Sequence, residues 1–176
     1  PIGAGLAGGS TDAAATMVGL NNLWNLNFKL TELEEISKEI GSDIPFCIAG
    51  GRQLCFGRGE ILEKLNCNQF DMGVILVKDP SIQISTPLAY KKYRDDYGNT
   101  YLKDETDFEN KRKYIRSLEW STENFLMTKS EIQNDLQKSI RPMSKEVQNS
   151  LKILSDLPGS RLISMSGSGT KNFFFF

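Results

Sequence analysis

The chain opens with Pro1, Ile2, Gly3, Ala4, Gly5, Leu6, Ala7, Gly8 and Gly9, a run of small residues that passes into Ser10, Thr11 and Asp12. Glycines lack Cβ, so successive backbone N–H groups can turn toward one point, and the positive end of a helix macrodipole adds to the field there. Such a segment is a cradle for polyphosphate, and Ser10, Thr11 and Asp12 place polar groups where the ligand would sit. The bland alternatives are close helix packing for the small residues and N-capping for the polar ones. Gly3-x-Gly5-x-x-Gly8 has the dinucleotide spacing, yet Glu32 and Glu34 fall at a helix start and not at the end of a second strand. Gly3 to Gly8 also has the P-loop spacing, but Gly9 stands where that loop requires lysine, so both readings are disfavoured.

Asp43, in Gly41-Ser42-Asp43-Ile44-Pro45-Phe46, has the chemistry of a general base, although the residues alone favour a cap for a short helix beginning near Pro45. Ser166-Gly167-Ser168-Gly169 is a turn signal. The sequence contains no histidine, which excludes Ser-His-Asp and Cys-His catalysis and imidazole pH switching within this chain. Cys47, Cys55 and Cys67 form no C-x-x-C pair and read as reduced, small core residues of a cytosolic protein. Lys plus Arg number 21 against 22 for Asp plus Glu, so no basic field is available for nucleic acid or an anionic membrane.

These groups need elements to hold them. Ala13, Met17, Leu20 and Trp24 recur at helical spacing behind the glycine run, predicting a helix of about 14 residues with one apolar stripe. Thr31 and Glu34 read as a capping box for a helix over 32–40 whose buried face is Leu33, Ile36 and Ile40, with Gly41 at its stop. Strands are predicted over 53–56, 61–65, 73–77 and 162–165. Residues 94–116 are dense in charge and read as a surface loop or exposed helix; 121–128 and Val147, Leu151 and Leu154 have helical spacing. Trp24 and Trp120 read as packing residues. The pattern is α+β, with a compositional shift near Lys78–Pro80 dividing residues 1–78 from 79–176. Pro1 in place of Met leads us to expect a piece of a longer protein, and Thr170-Lys171-Asn172 with four phenylalanines makes the last strand doubtful.

Taken whole, P-x-G-x-G-L-x-G-G-S-T-x-A-A-A resembles the central motif of the GHMP kinases, and Gly41 to Phe46 resembles their G-x-D-[IV]-P-F segment. Similarity continues through Asn22-x-Trp24, Gly57-Arg58-Gly59-Glu60, Ile84-Ser85-Thr86-Pro87-Leu88-Ala89-Tyr90 and Ser160-Arg161-Leu162. It is greatest to the branch that acts on 4-diphosphocytidyl-2-C-methyl-D-erythritol in the non-mevalonate isoprenoid pathway; homoserine or mevalonate kinases, or an inactive nucleotide-binding fragment, are the alternatives. The resemblance implies a two-lobe sandwich with an S5 domain 2-like first lobe and a ferredoxin-like second lobe, here incomplete. It implies ATP held by Pro1 to Thr11, Mg²⁺ with Ser10 as a ligand, and Asp43 as the base that contacts the substrate hydroxyl. It also implies a cytosine wall of Thr86, Pro87 and Tyr90, and a third motif, Ser166, Gly167, Ser168 and Gly169, that supports the phosphate loop. The partner is then a small molecule, neither nucleic acid nor membrane, and the compartment the bacterial cytosol or a plastid.

Overall fold

The computed structural model describes residues 5–66, 73–78, 84–118, 120, 134–159, 162–168 and 171–175. The described residues fall into two compact units, one of 7–66 and one that joins 5–6 to 73–175.

In the first unit α1 spans Gly8–Leu23, so it begins inside the glycine run and is longer than the apolar stripe predicted. Ala14 is its buried residue, and Trp24 follows the last turn 61% exposed, contrary to the packing role expected of it. Asn25 and Asn27 take left-handed backbone, which Asn tolerates, and the Asn21 amide brackets Phe28 with two 3.0 Å bonds to close the connection. α2 spans Leu30–Ser37. Because it starts before Thr31, that residue lies within the first turn and cannot cap. Glu32, and not Glu34, reaches back to accept from Lys29 N–H at 2.7 Å. Its buried residues are Leu33 and Ser37, whereas Ile36 and Ile40 are exposed, so only Leu33 of the apolar face expected from spacing is buried. α3 spans Ile44–Ala49 with Pro45 in its first turn. β1 (Gln53–Phe56) and β2 (Ile61–Lys64) form an antiparallel hairpin with Cys55 opposite Leu62.

In the second unit β3 (Val74–Lys78) precedes α4 (Thr86–Tyr97) and a 3₁₀ turn, Gly98–Thr100. α5 (Glu105–Ser117) is capped by Asp104, and Arg112 holds Glu105 and Glu109 at 2.9 Å. The charged stretch is thus mostly helix and has no buried residue in α5, as a solvated face requires. The helical pattern at 121–128 lies outside the described residues. α6 (Asp135–Ile140) was not visible in the sequence; a 3₁₀ turn, Arg141–Met143, connects it to α7 (Lys145–Ser155). Val147, Leu151 and Leu154 are buried along α7, as their spacing predicts.

β4 (Leu162–Met165) and β5 (Lys171–Phe175) complete an antiparallel sheet ordered β3-β5-β4. β5 is the central strand, paired on both sides, so the stretch that reads as doubtful in sequence carries the middle of the sheet. α7 packs against β4 and β5. Ala89, Leu136, Ile140, Val147, Leu151 and Met165 form the core, with Ile84, Tyr93 and Ile163 packed against it.

Candidate functional site

α1 determines what the glycine run can do. Its N-cap is Ala7 in left-handed backbone (φ 51°), and the first helical bond runs from Thr11 N–H to Ala7 O at 2.8 Å. The amides of Gly8, Gly9 and Ser10 therefore precede the helical ladder and point out of the positive end of a 16-residue helix. A Cβ built on Gly8 or Gly9 would meet nothing within 4 Å, so packing does not demand glycine at either position. Ser10, Thr11 and Asp12 lie inside the helix, which corrects the capping alternative for all three. The Thr11 hydroxyl bonds back to Ala7 O at 3.0 Å and lies 3.7 Å from Cys47 Sγ. Thr11 and Cys47 both belong to the first turns of their helices, so this contact sets the starts of α1 and α3 side by side. Pro1 to Ala4 lie outside the described residues.

Asp43 occupies the N-cap position of α3, as the residues alone predict, but its carboxylate makes no capping hydrogen bond and the residue is exposed. The cap is positional only. Beside it stands the β1–β2 turn, where a Cβ on Gly59 would lie 3.7 Å from Asp43 Oδ1. Gly59 has φ 117°, a conformation suited to glycine. Glu60 braces the same turn: its Oε2 accepts from Arg58 N–H at 2.7 Å, and its Oε1 would lie 2.9 Å from a Cβ on Gly57. The Glu60 carboxyl is held below the usual carboxylate range, first by its own backbone N–H and further by the amide and guanidinium of Arg58. Partial loss of solvent around the sulfur, and after it the negative charge of Asp43, push the Cys55 thiol up. Cys55 is exposed and Cys47 half-buried, so neither is the core residue expected; Cys67 lies outside the described residues.

The second unit assembles another group. Ser166 Oγ donates to Gly5 O at 2.5 Å, and a Cβ on Gly167 would meet that carbonyl oxygen at 3.3 Å, so the third motif lies directly against Gly5. Thr86 Oγ1 and Ser168 Oγ are 2.7 Å apart, joining the start of α4 to the same turn. Tyr90 lies one helical turn beyond Thr86 and is 56% exposed, so it is not a core tyrosine; Pro87 is exposed as well. Gly169 lies outside the described residues. Trp120, half-buried, donates its indole N–H to Ile115 O at 2.8 Å. Sequence reasoning missed Asn134, whose Nδ2 donates to Met165 O and Gly167 O at 2.8 and 2.6 Å. It also missed Gln137, whose Oε1 accepts from Met165 N–H at 2.6 Å. Asn followed by Asp135 is an N-cap signal that could have exposed the first.

Among the described residues no cluster of three His, Cys, Asp or Glu side chains could hold a metal ion. An ion carried by polyphosphate needs fewer protein ligands than such a cluster, and Ser10 lies in the first turn of α1.

Residues 1–51 match the GHMP kinases N terminal domain family. A relative from Prochlorococcus marinus (strain NATL2A), named 4-diphosphocytidyl-2-C-methyl-D-erythritol kinase, is 67% identical over all 176 residues, which make up 55% of that protein. A Synechococcus sp. (strain CC9605) relative of the same name is 47% identical over the full chain and 57% of its own length. A crystal structure of 4-(cytidine 5'-diphospho)-2C-methyl-D-erythritol kinase superposes with TM-score 0.67 at 26% identity, covering 99% of this chain and 57% of that one. The chain thus spans about half the length of the relatives it matches. By sequence over its whole length and by its mixed helix and sheet fold, the chain is similar to proteins named 4-diphosphocytidyl-2-C-methyl-D-erythritol kinase, and its residues 1–51 are similar to the GHMP kinases N terminal domain.

Proposed function

We propose that this chain supplies the phosphate grip and the acceptor base of an ATP-dependent kinase that phosphorylates the 2-hydroxyl of 4-diphosphocytidyl-2-C-methyl-D-erythritol. The observation that carries the reading is the pairing of two helix starts: open amides at Gly8, Gly9 and Ser10 on α1, and an exposed Asp43 carboxylate without a capping bond on the adjacent α3. The amides hold the transferring phosphates, and positioning with charge stabilisation does most of the work in a loose phosphoryl transition state. Asp43 orients the acceptor hydroxyl and takes its proton as the oxygen attacks the γ-phosphorus, with ADP leaving. Ser10 would be the protein ligand of a Mg²⁺ ion, which when bound would neutralise charge on the phosphate oxygens. Tyr90 stacks on the cytosine, a contact of about 1–3 kcal/mol, and Thr86 and Pro87 shape the adjacent wall. The enzyme works in the cytosol on a small-molecule partner.

The relatives' names and the fold support the substrate assignment. The test is steady-state kinetics with the chain set in the full-length context of its Prochlorococcus relative. Asp43→Asn is expected to lower kcat about 10²–10⁴-fold while the KM for ATP stays within about threefold. Equal kcat in the two proteins would remove Asp43 from the reaction.

A further inference from the structure

Asn134 bonds the backbone on both sides of Ser166, and nothing in the proposed chemistry uses it. Its carboxamide is fully engaged. Oδ1 accepts from Leu136 N–H at 3.0 Å and so caps α6, while Nδ2 donates to Met165 O and Gly167 O at either end of Ser166. Gln137, one turn into α6, accepts from Met165 N–H at 2.6 Å. On the other side of the same turn, Ser166 Oγ reaches Gly5 O, and only glycine at position 167 keeps its approach to that carbonyl free. The start of α6 therefore holds the turn on one side while the turn holds Gly5 on the other.

Resting on the phosphate-grip reading above, we propose that Asn134 is a positioning residue for nucleotide binding: its amide group fixes the Met165–Ser168 turn, and through Ser166 and Gly167 this turn fixes the Gly5 carbonyl. The chemistry requires asparagine. Aspartate caps a helix as well but has no N–H to offer two carbonyls and faces them with negative charge; serine caps but has one donor on a shorter arm. Asn134→Asp and Asn134→Ser thus preserve the cap of α6 and remove the clamp.

The experiment uses the chain set in the full-length context of its Prochlorococcus relative, with affinity for a fluorescent ATP analogue and amide exchange at residues 166–168 as the two readouts. Asn134→Asp is expected to weaken the analogue about tenfold or more and to speed exchange at 166–168, with the thermal transition still cooperative. Asn134→Ser does the same to a smaller degree and keeps the question answerable if the aspartate variant fails to fold. A double-mutant cycle with Ser166→Ala separates positioning from general weakening: once the Ser166 bond to Gly5 is gone, Asn134→Asp costs no more than about a further twofold. Losses that multiply in the double variant, or an Asn134→Asp protein that binds like the parent, overturn the proposal and leave the phosphate-grip reading standing. A parent that binds no ATP analogue, with slow exchange at 166–168, overturns both.

Discussion

Asp43 and Cys55 report on each other. The carboxylate of Asp43 helps raise the Cys55 thiol above its ordinary value, after burial, so Asp43→Asn removes one of two causes and brings the thiol part of the way down. Alkylation of Cys55 at pH 8, followed by peptide mass spectrometry so that Cys47 is counted separately, is expected to run faster in Asp43→Asn than in the parent. An unchanged rate would mean that the carboxylate does not face the hairpin. Glu60 makes a pH prediction in the opposite sense. Its folded value lies below the ordinary 4.5, so its contribution is present above that pH and is lost as pH falls through the depressed value. Between pH 6 and pH 3 the melting temperature of the parent is expected to fall more steeply than that of Glu60→Gln, checked by calorimetry across that range.

At the scale of elements, β5 is the strand that departs from expectation. Asn172 is fully buried between Met165 and Val77 in the ladder, and neither of its amide atoms makes a hydrogen bond among the described residues. A buried amide without partners costs about 1–3 kcal/mol, so Asn172→Val is expected to raise stability by roughly that amount in urea unfolding, with no change of m-value. Ile140 gives the contrary case. It is fully buried in the core with Ala89, Val147 and Met165, and Ile140→Ala is expected to cost about 2–5 kcal/mol in the same assay. The strands over 53–56 and 162–165 and the apolar face of α7 were legible because the spacing of their apolar residues agrees there with burial. α2 was shifted because Glu32 satisfies the amide before the predicted cap, and two capping registers compete in that stretch. α6 was missed because six residues carry too little periodicity to announce a helix; its cap at Asn134 is fixed by long-range bonds to the Met165–Gly167 turn.

For the whole molecule, the sequence made its motifs far easier to read than their surroundings. The glycine run, Asp43, Thr86 and the Ser166 turn could be named from residue types and resemblance, and the structure sets them in two groups: Asp43 with the start of α1, and Gly5 with Ser166 and Thr86. The supporting residues Asn134, Gln137 and Glu60 act through backbone partners, and for Asn134 and Gln137 those partners are about thirty positions away, a relation that no local pattern encodes. No helix among the described residues is long and apolar enough to cross a membrane.

The central claim is phosphoryl transfer from ATP to one particular hydroxyl, and phosphorus NMR reads it directly. The chain, set in the full-length context of its Prochlorococcus relative, is incubated with Mg²⁺-ATP and, in separate samples, 4-diphosphocytidyl-2-C-methyl-D-erythritol, homoserine or mevalonate. A new phosphomonoester resonance with ADP in the cytidyl sample alone, absent from the Asp43→Asn protein, is the result predicted. Product with homoserine or mevalonate instead, or ATP binding without product in any sample, would contradict it.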